Sequence, residues 1–231
     1  LLGPLTADLG VRYDRHSYTG EGRTSPRAAL ALALGDRTVL RAAWGRYFQA
    51  QNIGDLYVED KSSRFERAHL ATHYVIGLER RLGHGLHLRV EGYYKALRHI
   101  RHRVENLGED IEPVAEVEWD RISLFPDAGK IQGMEFYLKR DTGGALSWWL
   151  SYAYAKDEET HDSVRSYPFL RGRTFPQKFS QRHTFSVDVN YRPSPAWNLS
   201  LAWQIRSGWP YTPRELVTGT RSDGAQYVNV V

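Results

Sequence analysis

The densest cluster of positive side chains lies between residues 98 and 103, where the sequence reads Arg-His-Ile-Arg-His-Arg. Guanidinium groups at this spacing attract anions over a long range, so the segment could bind an anionic solute or a phosphate-bearing lipid. Carboxylates follow at 105, 109, 110, 112, 116, 118 and 120, and a solvated loop with mutually neutralising charges explains the same letters. His99 and His102 lack a third ligand at a defined spacing, so no metal site is predicted.

A second charged region follows residue 156 and contains both signs. Asp157, Glu158, Glu159 and Asp162 could offer oxygens to calcium, but the alternating ligands and glycine of a calcium loop are missing, which favours a solvated acidic run. Basic residues then alternate with aromatic ones, at Arg165, Tyr167, Phe169, Arg171, Arg173, Phe175 and Lys178. This mixture suits either gripping an amphipathic ligand or packing the loop on its neighbours, and the sequence leaves both open.

Catalytic patterns are missing from the chain. Ser151 and Ser186 lie within alternating segments and lack a nucleophile elbow. The sequence contains no glycine-rich phosphate loop. Glu91 and Glu135 are explained by pairing with Arg89 and Lys139, the nearest basic residues. We therefore predict a protein that is not an enzyme and uses no cofactor.

Composition restricts the class of protein further. The chain has 231 residues, 41% of them apolar, 25% charged and 13% aromatic, which is too aromatic for a disordered chain. The net charge of +4 is scattered, which argues against nucleic acid, and the lack of cysteine excludes disulfides and thiolate metal sites. A mean hydropathy of -0.55, without an apolar run near the ~20 residues of a spanning helix, excludes a helical membrane protein. A β-barrel is still allowed, because its strands alternate.

Nine segments alternate apolar and polar residues with period two, and the clearest is 197–206 (WNLSLAWQIR). We predict strands, and no helix, around residues 5–13, 28–34, 40–44, 74–78, 86–95, 134–138, 146–154, 184–192 and 197–206. The connections alternate long and short, at 14–26, 35–37, 48–69, 82–85, 97–129, 141–144, 156–182 and 193–196. Short turns at one end and long polar loops at the other are typical of an outer-membrane barrel.

The two faces of these strands differ in chemistry. Charged residues of both signs fall almost entirely on one face, which is typical of a water-filled lumen. The other face is apolar and has aromatics near the strand ends, as in interfacial girdles. We predict that this face contacts lipid through Trp44, Leu88, Phe136, Trp148, Leu150, Phe185, Val187, Leu199, Leu201 and Trp203. A soluble antiparallel sheet with one buried face is the alternative.

Four phrases resemble those of one family. SPR at 25–27 followed by LRAAWGRYF at 40–48 resembles the "SPR…LRASYGRGF" hairpin of TonB-dependent outer-membrane receptors. GMEF at 133–136 is similar to the family's "G-hydrophobic-E-hydrophobic" strand opening, and QRH at 181–183 to its "DQRH". SGWPYTP at 207–213 is similar to its "SGxPYTP" strand exit. They occur in family order across nearly the whole chain.

The resemblance implies a transmembrane antiparallel β-barrel that imports a scarce solute, such as a ferric siderophore, a vitamin or an oligosaccharide, with energy coupled through TonB. We expect residues 1–231 to be a single domain, an open partial wall of about nine strands in a meander. The family's plug domain, which contacts the TonB complex, and its closing strands would lie outside this chain. Location in the bacterial outer membrane follows, with membrane lipid and lipopolysaccharide as further partners and no nucleic acid.

Family members capture solutes with outer loops and upper lumen residues. The matching residue types here are predicted at the outer rim, where they would favour an anionic solute such as a metal chelate: Arg98, Arg101, Arg103, Arg171, Arg173, Trp209 and Tyr211. The same arginines could instead bind lipopolysaccharide phosphates or keep the loops soluble. A passive porin-like or adhesin barrel is the rival function, and a soluble β-sheet binding module is a third.

Overall fold

In a computed structural model, the described residues are 4–56, 63–106, 121–161, 172–210, 216–220 and 226–230. Within these ranges the chain forms strands, one short 3-10 turn at Ile53–Asp55 and no α-helix. No helix in this part of the chain has the length and apolar character needed to cross a bilayer. The strands are β1 (Leu5–Arg15), β2 (Gly22–Ala33), β3 (Thr38–Gln49), β4 (His69–Gly83), β5 (Leu86–Arg98), β6 (Arg103–Asn106), β7 (Arg121–Leu124), β8 (Ala128–Arg140), β9 (Leu146–His161), β10 (Arg173–Pro176), β11 (His183–Ser194), β12 (Trp197–Arg206), β13 (Leu216–Thr220) and β14 (Gln226–Val230).

One antiparallel meander dominates the structure. Its order is β1-β2-β3-β4-β5-β8-β9-β11-β12, with β10 paired to β9. Strands β6 and β7 form a hairpin within the longest connection, and β13 and β14 form another. The nine strands of the main path correspond to the nine predicted ones, so the all-β antiparallel meander is confirmed. Strands β1 and β12 are the two edges, so the sheet is open over the described residues.

The predicted loop at 14–26 is wrong. Strand β2 begins at Gly22, and the first connection is only 16–21. Pro26 lies inside β2 opposite Val11, although proline removes a backbone donor. The β2–β3 ladder starts at Arg27, so Pro26 pairs on one side only, and such an edge-like position tolerates the missing N–H.

The tight connections use backbone conformations that favour glycine. Gly83, His84 and Gly85 have φ of 92°, 49° and 72°, which turn the chain between β4 and β5. A Cβ on Gly85 would lie 2.6 Å from the backbone oxygen of Asp141 in the next turn along the sheet. Glycine is therefore required at residue 85 by both conformation and space.

Cross-strand register carries the two faces across the whole sheet. One row of paired residues runs Leu88, Leu138, Leu150, Val187 and Trp203. All ten residues predicted to contact lipid lie on this side, which we call the apolar face; the opposite side is the polar face. Lipid contact itself is not tested by the register and stays a prediction.

The apolar face has no second layer over it in the described residues. Leu201 is 65% exposed and Trp203 53% exposed. The buried apolar residues in this part of the chain are Ala68, Leu70 and Leu97, all at the end of the sheet where the long connections meet. A soluble sheet with one buried face would require a covering layer.

Candidate functional site at the long-loop end of the sheet

The polar face ends in a cluster of ion pairs where β5, β9 and β10 meet the long connections. Arg103, at the start of β6, grips Glu159 of β9 with both guanidinium nitrogens, and the Nη1–Oε2 distance is 2.9 Å. His161 Nε2 lies 2.9 Å from Glu159 Oε1. Glu159 and His161 are only 3% and 4% exposed. This two-point grip fixes the loop after β5 to the wall, because a planar guanidinium fits a carboxylate in one orientation.

A second set of contacts joins that loop to the connection between β3 and β4. Arg101 Nη1 bonds to Asp55 Oδ2, and the His102 ring bonds to the Glu66 carboxylate. Gln51, 4% exposed, donates to the Asp55 carbonyl at 3.0 Å. The pKa of Asp55 is lowered, first by the hydrogen bond from the Asn52 backbone and then by that from Arg101.

The connection between β1 and β2 joins the same network. Glu21 accepts the Ala68 amide at 3.0 Å and pairs with Arg23. Burial lowers the pKa of His99, and the charges of Arg67 and Arg23 lower it further. The connections β1–β2, β3–β4 and β5–β8 and strand β9 are thus linked to one another. Each link is a carboxylate that binds a group from a different segment.

The structure separates the residues predicted at the rim. Arg101, Arg103 and Arg173 lie around this cluster, with Arg173 paired opposite His161 and exposed. Trp209 is 57% exposed and packs edge-on against Phe179, with ring centroids 5.4 Å apart. Arg171 and Tyr211 lie outside the described residues.

Arg98 does not share the rim with the others. It pairs with Leu70 and Ala128 in an unbroken register that includes Tyr94. Strand alternation therefore puts Arg98 on the apolar face, while Leu97 points to the polar face beneath Ile100. The predicted loop at 97–129 starts too early, because β5 continues to Arg98.

Acidic residues that looked continuous are also divided by strand alternation. Asp157 and Glu159 lie on the polar face, and Glu158 lies on the apolar face with Lys130 opposite. No group of three metal-ligating side chains occurs within the described ranges. The 157–159 run therefore does not converge on one cation. The prediction of a solvated acidic run is wrong, because these residues belong to β9 and Glu159 is buried.

On the middle of the polar face, one predicted pair is confirmed and another is wrong. Arg89 Nη2 lies 3.0 Å from Glu91 Oε2. Glu135 lies directly opposite Glu91, and among the described residues it makes no ion pair with Lys139. Arg41 and Glu79 form a further pair at 3.0 Å. Side chains two residues apart on one strand reach each other only when their rotamers lean together, which spacing alone does not decide.

Sequence reasoning missed the carboxylates at Asp55 and Glu66. Both lie in the connection before β4, and the basic partner of each lies in a distant segment of the chain. The available signal was the excess of arginine and histidine in the next long connection, since buried or half-buried cations require partners. Which carboxylates would supply them was not readable, because the partner segments are 36 to 46 residues away.

Comparisons with known proteins find matches to the sequence and to the fold of this chain. The model of the TonB-dependent receptor-like β-barrel family matches residues 1–230. The FrpB iron transporter from Neisseria meningitidis (F3-3 variant) is a similar solved structure, with a TM-score of 0.56 and 16% identity over 99% of this chain and 34% of that one. The alcaligin outer-membrane receptor FauA from Bordetella pertussis has a TM-score of 0.56 and 17% identity over 88% of this chain and 35% of that one. Comparison with curated proteins gives no match.

At these identities the two solved structures show the fold alone, and this chain spans about a third of their length. The family match covers nearly every residue. The open meander with one apolar and one charged face is the wall that such a barrel requires. The chain belongs to the TonB-dependent receptor-like β-barrel family.

Proposed function

We propose that this chain forms part of the wall of an outer-membrane receptor that takes up a scarce solute with energy coupled through TonB. The family match over residues 1–230 carries the proposal. The charged polar face supports it as the lumen side, and the bare apolar face supports it as the lipid side. The proposed location is the bacterial outer membrane, and no reaction is proposed for the protein.

A metal chelate is the proposed solute class. The similar solved structures are an iron transporter and an alcaligin receptor by name. Arg173 is exposed beside the ion-pair cluster of the long connections. This placement supports an anionic chelate, because a basic rim attracts anions in a salt-dependent way. Vitamins and oligosaccharides are the competing classes.

Within the rim we assign direct solute contact to Arg173 and Trp209, which are both exposed. Arg173 pairs with His161 of β9, and Trp209 packs against Phe179. Arg171 and Tyr211 stay predictions beside them. Arg103 is proposed as a positioning residue instead. If a solute took its guanidinium, the 3%-exposed Glu159 would lose its main partner, and stranding a buried charge costs several kcal/mol.

Uptake assays on the full-length receptor test the function. Its gene should restore growth on one ferric chelate in a strain lacking other receptors, and deletion of tonB should abolish the growth. Growth that persists without TonB would favour the passive porin. Recovery of the protein in a soluble fraction would favour the soluble β-sheet module.

A pair of substitutions tests the rim. Arg173→Gln and Trp209→Ala should each raise the concentration of chelate needed for half-maximal uptake. We expect about tenfold for Arg173→Gln, which loses a charge-assisted contact, and a smaller rise for Trp209→Ala, which loses an aromatic contact. Arg41→Gln, on the polar face far from the long-loop end, is the matched control and should leave that concentration unchanged. Equal effects from all three variants would remove Arg173 and Trp209 from the solute site.

A further inference from the structure

The apolar face carries a row of cations at its long-loop end. Arg98 is one of them, and the register adds Arg46, Lys130 and Lys156 to the same side. Arg46 and Lys130 lie in one cross-strand row, with Arg98 one pair further toward the long connections and Lys156 one pair back. We call these four residues the basic belt.

Each belt residue except Lys130 follows an aromatic residue on its own strand and face. Arg46 comes two residues after Trp44, Arg98 four after Tyr94, and Lys156 two after Tyr154. Aromatic side chains on the outside of a barrel lie at the level of lipid headgroups. The belt is therefore placed just beyond the apolar layer, where the phosphates of the outer leaflet would lie.

The belt has a surplus of positive charge. Glu158 is held by Lys130 at 3.3 Å and by Lys156 at 2.7 Å, so one carboxylate serves two ammonium groups. Arg46 and Arg98 are exposed and have no acidic partner among the described residues. Four cations against one anion leave about three positive charges on the lipid side, which would be costly next to hydrocarbon alone.

An open groove of about 630 Å³ lies directly below the belt. Its sides are apolar-face residues that include Trp44, Tyr74, Ile76 and Tyr94. Ala42 and Gly92 line its floor, where a methyl group and a hydrogen leave room between the larger side chains. It lies inward of the cations, on the side where the acyl chain of a lipid would lie if its headgroup bound them.

We propose that the basic belt and the groove bind one phosphorylated lipid of the outer leaflet, with its phosphates on Arg46 and Arg98 and an acyl chain beside Trp44. The inference rests on the membrane placement in the proposed function, and it is independent of the solute. It assigns Arg98 to lipid instead of to the transported molecule.

Native mass spectrometry of the purified full-length receptor, titrated with diphosphorylated lipid A in detergent, tests the site. Replacing both arginines (Arg46→Gln with Arg98→Gln) should weaken binding by at least about tenfold, since two charge-assisted hydrogen bonds are lost. Replacing Arg80 and Arg140 by Gln is the matched control. Those two arginines lie on the same face at the short-turn end, and the control should change binding less than about twofold.

Two further variants separate headgroup from tail and guard against misfolding. Arg46→Lys with Arg98→Lys keeps the charge and should retain most binding of lipid A. Ala42→Leu fills the groove without changing the charge of the protein, and it should weaken the binding of lipid A. Lipid A stripped of phosphate should bind the parent protein and the double Gln variant equally.

Several results would overturn the inference. If the Arg80/Arg140 control loses lipid A binding equally, the attraction is nonspecific. If the Arg46/Arg98 double Gln variant binds lipid A as the parent does, the basic belt is not part of the lipid site. If Ala42→Leu leaves lipid A binding unchanged, the groove does not hold the acyl chain. If the receptor fractionates with outer membranes while these results fail, the lipid site is wrong and the proposed function stands; a soluble receptor would refute both.

Discussion

The contact between Arg103 and Glu159 should hold the loop after β5 against the wall, and Arg103→Met tests it. Among the described residues, the change leaves Glu159, 3% exposed, with His161 as its remaining side-chain partner. Removing one partner of a fully buried ion pair costs roughly 3–5 kcal/mol. The Arg103 side chain is 26% exposed and His161 stays in place in the variant. We therefore expect Arg103→Met to lower the free energy of opening this loop by about 2 kcal/mol.

Hydrogen exchange in the full-length receptor measures this loss locally. A cost of about 2 kcal/mol corresponds to about 30-fold faster exchange of the amides in β6, if they exchange through local opening. Combining Arg103→Met with Glu159→Gln should recover most of the protection, because no buried charge is then left unpaired.

The control for this experiment is Arg89→Met. Arg89 pairs with Glu91 at 3.0 Å, but its side chain is 48% exposed, and exposed pairs contribute about 0–1 kcal/mol. Exchange near Arg89 should change little. If Arg103→Met alters exchange no more than Arg89→Met does, the contact does not hold the loop and the reasoning from burial is refuted.

Three other predictions follow from the described residues. The pKa of Asp55 is lowered, first by the Asn52 backbone amide and then by Arg101, so the ionised carboxylate stabilises the loops above the unfolded pKa of about 3.9, and this stabilisation is lost as pH falls through the lowered value; exchange in residues 99–106 that is unchanged between pH 6 and pH 3 after correction for intrinsic rates would contradict this. Leu201→Arg should destabilise the receptor in bilayers by about 2–4 kcal/mol, whereas Ala202→Arg, on the polar face, should have little effect; equal chemical unfolding curves would refute the lipid assignment of Leu201. Gly85→Ala should reduce refolding yield in detergent because its Cβ would lie 2.6 Å from a backbone oxygen; a normal yield would show that the two turns can separate.

Much of the fold was readable from the letters because strand alternation is a local property. Segment 197–206 predicts a strand whichever neighbours it has, since side chains point to opposite sides every two residues. The nine strands, their order and the two faces follow from this rule together with the turn residues. The glycines at 83 and 85 mark a turn by their own conformational freedom.

The ends of the strands were less readable, and this had a consequence for the site. Alternation past Tyr94 assigns Arg98 to the apolar face only if β5 continues that far. Its continuation depends on pairing with Leu70 and Ala128, which lie on two other strands. A stretch of arginine and histidine looks like a loop until those ladder partners are known.

What the sequence determined by itself is therefore the alternating code of a barrel wall and its family. Only the tertiary structure decided which cations face which side and which carboxylates hold them. Arg103 meets Glu159 across 56 residues of sequence, and Arg101 meets Asp55 across 46. Such pairs depend on where separate segments converge at the end of the sheet. A hydrogen-bonded ion pair needs its donor and acceptor within about 3.2 Å, so the letters around each residue carry no record of its partner.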